Sequence, residues 1–173
     1  ILYKDSISES KNSINAVKDF GRNALADLRN TIWAMKQQNG TFETLLLKVN
    51  ELVSKLNESL SNLTIEIVNE VNENFHLSST QMLNLYRIIQ EAIQNAIKHS
   101  GATSVTINFS NNDLKFILVV ADNGKGFKIT ENYSGNGIKN MKRRCNEIGG
   151  DFDIESSDSG TRIKCVIEFG NYK

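Results

Sequence analysis

Apolar residues recur along the chain with two different periods, and the changes of period divide it into elements. Over residues 5–37, Ile7, Ile14, Leu28 and Met35 follow a spacing of seven, with Gly21 holding the register. Val17, Ala24, Leu25 and Ile32 fill neighbouring positions. This heptad-like seam predicts one long helix. About 33 residues would span about 50 Å, longer than a small domain is wide, so the seam needs a partner. Two partners fit: a helical hairpin that dimerises into a four-helix bundle, or the chain's own domain. Gly21 inside the helix costs roughly 1 kcal/mol relative to Ala. Gln37-Gln-Asn-Gly40 stops the helix and starts a linker. A second amphipathic helix covers 42–60 through Leu45, Leu46, Val49, Leu52, Val53, Leu56 and Leu60, with Thr41 as its N-cap.

Alternation then predicts a strand over Leu63–Val71 and a loop over 72–77, where His76 reads as a surface residue. Ser78 and Ser79 cap the next helix. Its apolar stripe is Met82, Leu85, Ile89, Ala92, Ile93, Ala96 and Ile97. Arg87, Glu91, Asn95 and Lys98 run beside it, and Glu91 and Asn95 are one turn apart. Asn is a poor helix-interior residue, because its amide competes for backbone hydrogen bonds. Asn95 therefore lies either on a solvated polar face or where chemistry needs it.

Gly101-Ala-Thr makes a turn, and Ser104–Ser110 and Leu114–Ala121 form strands joined by Asn111-Asn-Asp113. A polar loop, Lys128–Ser134, leads to a helix over 135–148 ended by Gly149-Gly150. Phe152–Ser156 and Ile163–Phe169 close as a hairpin. Helices segregated from a mostly antiparallel sheet predict an α+β two-layer sandwich over 40–173, preceded by a helix and linker over 1–39.

Composition narrows the reading. Of 173 residues, 39% are hydrophobic and 23% charged, as in an ordinary globular protein. Twenty basic and 20 acidic residues leave no net charge, so nothing favours nucleic acid or an anionic membrane. No apolar run approaches the roughly 20 residues of a membrane span, and no signal peptide is visible. The chain begins at Ile1, not Met, and reads as part of something longer. Cys145 and Cys165 match no metal spacing and point to a reducing compartment, with the two thiols expected to stay unpaired.

Four short stretches now matter together. They are Glu91-Ala-Ile-Gln-Asn-Ala-Ile-Lys-His99 on the central helix, Asp122-Asn-Gly-Lys-Gly-Phe127 after a strand, Gly135-Asn-Gly-Ile-Lys-Asn-Met141 opening a helix, and Asp158-Ser-Gly-Thr-Arg162 before the last strand. A lone GxG proves little. In this order they resemble the nucleotide-binding boxes shared by DNA gyrase, Hsp90, sensor histidine kinases and MutL. The helix pattern and the short gap between glycine boxes look most like a two-component sensor histidine kinase, in the branch whose regulators are helix-turn-helix transcription factors. Leu28–Met35 resembles the end of the second dimerisation helix of that branch, with Trp33 as a packing residue.

The resemblance implies an ATP site that uses Mg²⁺. It assigns Asn95 as the magnesium ligand, a neutral amide oxygen suited to a hard ion that takes few protein ligands. Lys98 would pair with a phosphate oxygen. His99 would do the same, or would only complement the helix dipole. Asp122, an acceptor-only carboxylate, would take the exocyclic amine of adenine. Gly124 and Gly126 would let base and sugar lie close to backbone. Gly135 and Gly137 would open a helix whose amides receive the triphosphate. Thr161 would hold the adenine edge, directly or through water. Glu91 would act as base, as orienter of the acceptor, or on the magnesium waters.

One departure is decisive. Such kinases carry a phosphoacceptor histidine followed by an acid on the first dimerisation helix. Only His76 and His99 occur here, and neither fits that place. The expected function is therefore the catalytic region of a cytoplasmic histidine kinase that homodimerises through its N-terminal helix. It would pass the γ-phosphoryl of ATP to a histidine outside this sequence and on to a response regulator. Rival readings are a gyrase- or MutL-like ATPase, an anti-sigma-factor-like serine kinase, and a nucleotide-binding pseudokinase.

Overall fold

A computed structural model describes residues 2–37, 40–112, 114–129 and 136–168. The chain forms two compact units, Ile1–Gln38 and Asn39–Lys173. The first is a single helix, α1, Leu2–Lys36. Ile14, Val17, Leu25, Leu28, Ile32 and Met35 of the predicted apolar seam are between 45% and 71% exposed and lie open to solvent, whereas the side chain of Ile7 lies outside what the structure describes.

The second unit runs α2 (Phe42–Ser59), β1 (Thr64–Glu70), α3 (Ser79–Asn95), β2 (Ser104–Asn111), β3 (Lys115–Asp122), α4 (Asn136–Glu147), β4 (Gly150–Ser157) and β5 (Gly160–Glu168). The strands form one sheet in the order β1-β2-β3-β5-β4. Only β1 and β2 are parallel, because α3 crosses over between them, whereas β2–β3 and β4–β5 are joined by turns. The result is the expected α+β sandwich with a mostly antiparallel sheet.

One face of the sheet is the core. Side chains alternate across a strand, and directly paired residues share a face. Ile107, Val120, Ile163 and Ile154 pair in sequence across β2, β3, β5 and β4, and so do Phe109, Leu118, Cys165 and Phe152. Leu45 and Val49 of α2, Met82, Leu85, Ile89 and Ile93 of α3, and Met141 of α4 are essentially inaccessible and fill the layer between. Phe42, Phe75, Phe109 and Phe116 add an aromatic cluster with ring centroids 5.3–6.2 Å apart.

Caps fix the helix starts. The Thr41 hydroxyl accepts from Thr44 N. Ser78 and Gln81 form a reciprocal capping box at 3.1 and 2.9 Å.

Two features depart from expectation. The central helix does not stay regular to its end: Ala96–Ser100 widens into a π turn, closed by Gly101 at φ 64°. Such turns often occur at functional sites. Cys145 on α4 and Cys165 on β5 are paired as a disulfide, their Cα atoms 6.3 Å apart, where free thiols were expected. They lie 20 residues apart in sequence, but the packing of α4 on the sheet sets them face to face. Finally, Asp113, Phe169, residues 130–134 of the predicted polar loop and Gly135 lie outside the described residues.

Candidate functional site

The core face of the sheet ends in a cleft of about 570 Å³ between α3, α4, the segment after β3 and the β4–β5 hairpin. Its floor is apolar, made by the cross-strand pair Ile154 and Ile163. Ala92 and Ile138 also line it, and Phe127 stands at its rim, 40% exposed.

One row beyond the isoleucines the same face turns polar. Asp122 pairs with Thr161, and Thr161 pairs with Ser156. Asp122 and Thr161 line the cleft, half-buried. Asp122 Oδ1 accepts from Gly124 N at 2.8 Å, which fixes the carboxylate's rotamer. The hydroxyls of Ser156 and Thr161 are 3.1 Å apart, and Phe127 N donates to Ser156 Oγ at 2.9 Å.

The loop after β3 is clamped to the end of α3. Asn123 Oδ1 accepts from Thr103 N and Ser104 N at 2.9 and 3.0 Å, and its amide donates to the Thr103 hydroxyl at 3.0 Å. Lys125 N donates to Ser100 O at 2.9 Å. Ser100 is buried, and its hydroxyl donates back to Ala96 O at 2.9 Å inside the π turn. The segment carrying Asp122 and the helix carrying Asn95 are thus held in fixed relation.

The opposite end of the cleft is helical. Glu91, Asn95, Lys98 and His99 all line it from α3 and its π turn. Lys98 Nζ reaches Gln94 Oε1 at 3.2 Å on the exposed side. Gly137, in the first turn of α4, packs against the Glu91 carboxylate, with Asn95 Nδ2 3.4 Å from where a Cβ would stand. The α4 N-terminus therefore opens beside Glu91 and Asn95.

Of the ten residues singled out in the sequence, eight line the cleft: Glu91, Asn95, Lys98, His99, Asp122, Gly126, Gly137 and Thr161. Gly135 lies outside the described residues. Gly124 is buried and is not part of the lining; a side chain there would meet Ser100. At Gly126, with φ 54°, it would meet the Ser157 carbonyl. Gly124 thus makes room for Ser100, and Gly126, which lines the cleft, makes room for the Ser157 carbonyl.

Sequence reasoning passed over Ser156, Asn123 and Gly160. Gly160, at φ 125°, presses on the Asp122 carbonyl, so the β4–β5 turn buttresses the carboxylate's strand end. Its place before Thr161 in a short turn was the available signal.

No cluster of three His, Cys, Asp or Glu side chains able to hold a metal is present among the described residues. Asn95, which lines the helix end of the cleft, carries an amide oxygen, a donor type that a hard cation accepts.

The chain is 41% identical over 102 residues to a sensor protein VraS of Staphylococcus epidermidis and 42% identical to that of Staphylococcus aureus. Each alignment takes in 58% of this chain but only 29% of the relative's length. Among solved structures, the histidine kinase AdeS of Acinetobacter baumannii superposes with a TM-score of 0.66 at 18% identity, over 93% of this chain and 84% of that one. The ATP-binding domain of PrrB from Mycobacterium tuberculosis superposes at 0.60 and 19%, over 78% of this chain and the whole of the other. The sequence pattern of the histidine kinase-, DNA gyrase B- and HSP90-like ATPase family matches residues 80–171, more than half of the chain, and the chain belongs to that family.

Proposed function

We propose that the 40–173 unit binds ATP and serves as the catalytic region of a sensor histidine kinase. The observation that carries this is one cleft with two chemically different ends. At the strand end, an apolar floor of Ile154 and Ile163 meets the Asp122–Thr161 edge. A flat base can rest on the former and be read by the latter. At the helix end, Asn95, Lys98 and the α4 N-terminus suit polyphosphate. Mg²⁺, when bound, supplies charge neutralisation between phosphate oxygens, and Asn95 is the residue that would hold it.

The chain's own residues do the rest. Asp122 accepts from the adenine amine and thereby selects against guanine, whose corresponding group is an acceptor. Lys98 places a positive charge beside the phosphates. Glu91 stands where a carboxylate can take up a proton or orient the acceptor. Phosphoryl transfer depends mostly on positioning, and the Asn123 and Ser100 clamps provide it between the two ends.

In the full protein the γ-phosphoryl passes to a histidine other than His76 and His99, then to a response regulator. His76 is an exposed loop residue paired only through a backbone bridge to Thr41. His99 lines the nucleotide cleft itself. The exposed seam of α1 forms the homodimer. No described helix is long and apolar enough to cross a membrane, and the reading places this region in the cytoplasm.

The test is labelling with γ-labelled ATP alongside phosphate release. This chain alone should bind ATP with Mg²⁺ dependence and form no acid-labile phosphohistidine. A longer version that includes an upstream acceptor histidine should become labelled, and release of free phosphate without labelling would point instead to an ATPase. Phosphohistidine on His76 or His99, seen by mass spectrometry, would overturn the assignment.

A further inference from the structure

We infer that Ser156, which does not itself line the cleft, sets the direction of the Thr161 hydroxyl and so completes the base-reading edge. This rests on the reading of Asp122 and Thr161 as that edge. Ser156, Thr161 and Asp122 form one row across β4, β5 and β3 on the same face of the sheet. The order matters, because Thr161 is the middle member and has a neighbour on each side.

The protons in this row are not free to point anywhere. Phe127 N can only donate, and it donates to Ser156 Oγ at 2.9 Å. The Ser156 and Thr161 oxygens, 3.1 Å apart, share one proton between them. A hydroxyl that already accepts from an N–H is polarised and becomes a better donor. Phe127 and Thr161 are the hydrogen-bond partners of the Ser156 hydroxyl among the described residues. The favoured chain therefore runs from Phe127 N–H to Ser156 O–H to Thr161, which leaves the Thr161 proton for a partner at the cleft edge.

The edge then presents an acceptor, the Asp122 carboxylate, beside a donor, the Thr161 hydroxyl. The complementary ligand edge is a donor beside an acceptor. Adenine offers that pair in its exocyclic amine and N1. Hypoxanthine and guanine offer the reverse, a carbonyl oxygen beside N1–H. Ser156 is thus a positioning residue for base selectivity, acting through Thr161. It also holds the backbone of Phe127 at the cleft rim, so one hydroxyl serves both edge and rim.

Calorimetry with ADP and with inosine diphosphate separates the outcomes, since these two differ only at the edge in question. The wild type should bind ADP at least about tenfold more tightly. Ser156→Ala should weaken ADP about tenfold and inosine diphosphate less than about twofold, narrowing the preference. Ser156→Thr, which keeps the hydroxyl, should restore ADP binding to within about threefold of wild type. Equal weakening of both nucleotides by Ser156→Ala would show a merely structural role and overturn the inference. Should Ser156→Ala fail to fold by circular dichroism, Ser156→Cys takes its place. Its thiol is a weak donor, and an unchanged ADP preference in that variant would overturn the inference as well. A wild type that binds both nucleotides equally would instead bring down the underlying reading of Asp122 and Thr161, and this inference with it.

Discussion

The two ends of the cleft are built on different principles. The strand end is backbone against backbone. Gly126 and Gly160 sit on the carbonyls of Ser157 and Asp122, and the side chains of Asp122, Thr161 and Ser156 are locked in register by strand pairing. The helix end is side chain against side chain. Gly137 sits on the end of the Glu91 side chain, Lys98 reaches Gln94 on the exposed side, and the π turn departs from regular geometry. A strand end cannot shift without breaking a ladder, whereas a carboxylate tip moves by a rotamer change. On the proposed function, rigid recognition would fall to the base and adaptable contact to the phosphates, which change in number and position as the nucleotide reacts.

The largest effect should come from Gly160→Ala. Its φ of 125° is a region that side-chain-bearing residues rarely adopt, and the added carbon meets backbone. We expect a loss of about 2–4 kcal/mol in urea unfolding, with ADP binding impaired in whatever remains folded. A variant as stable as wild type would break the claim that the strand end is rigid.

Next is Asp122→Asn. Oδ1 is held by Gly124 N, so the new amide nitrogen must face the ligand's own donor. ADP affinity should fall about a hundredfold with little change in melting temperature. Unchanged affinity by calorimetry would remove Asp122 from the base edge.

Asn95→Ala should act at the other end only. The gain in ATP affinity on adding Mg²⁺ should shrink about tenfold, while binding in EDTA stays near wild type. Equal losses with and without Mg²⁺ would mean that Asn95 contributes structure and does not hold the metal.

The smallest effect should be that of Gly137→Ala. The obstruction is a flexible carboxylate, and Ala favours a helix, so stability should change by less than about 1 kcal/mol. Displacing Glu91 should slow phosphoryl transfer in a longer, acceptor-bearing protein without altering ADP affinity. A loss of stability matching that of Gly160→Ala would erase the difference between the two ends.

Much of this was legible before any coordinates. The periods of the apolar positions located every helix and strand to within a few residues, because burial of one face is what makes each element form. Asn95 stood out because its residue type is costly inside a helix, and Asp122 and the second glycine box stood out through the order of boxes that resembles the family's. The glycines of Asp122–Phe127 have a further role that only the fold shows: they accommodate Ser100 and Ser157.

What stayed hidden depended on register. Ser156 is an ordinary strand serine until β4 is aligned on β5, and Asn123 is an ordinary loop asparagine until Thr103 and Ser104 arrive beside it from 20 and 19 residues away. Cys145 and Cys165 likewise became partners only through the packing of α4 on the sheet.

By itself the sequence determined the element order, the sandwich, and the residue types able to read a base or bind phosphate, since local periodicity and side-chain chemistry are properties of the chain alone. Only the tertiary structure decided which of those residues meet. Hydrogen bonds act over about 3 Å, and that precision is set by strand register and helix packing, which no local stretch contains.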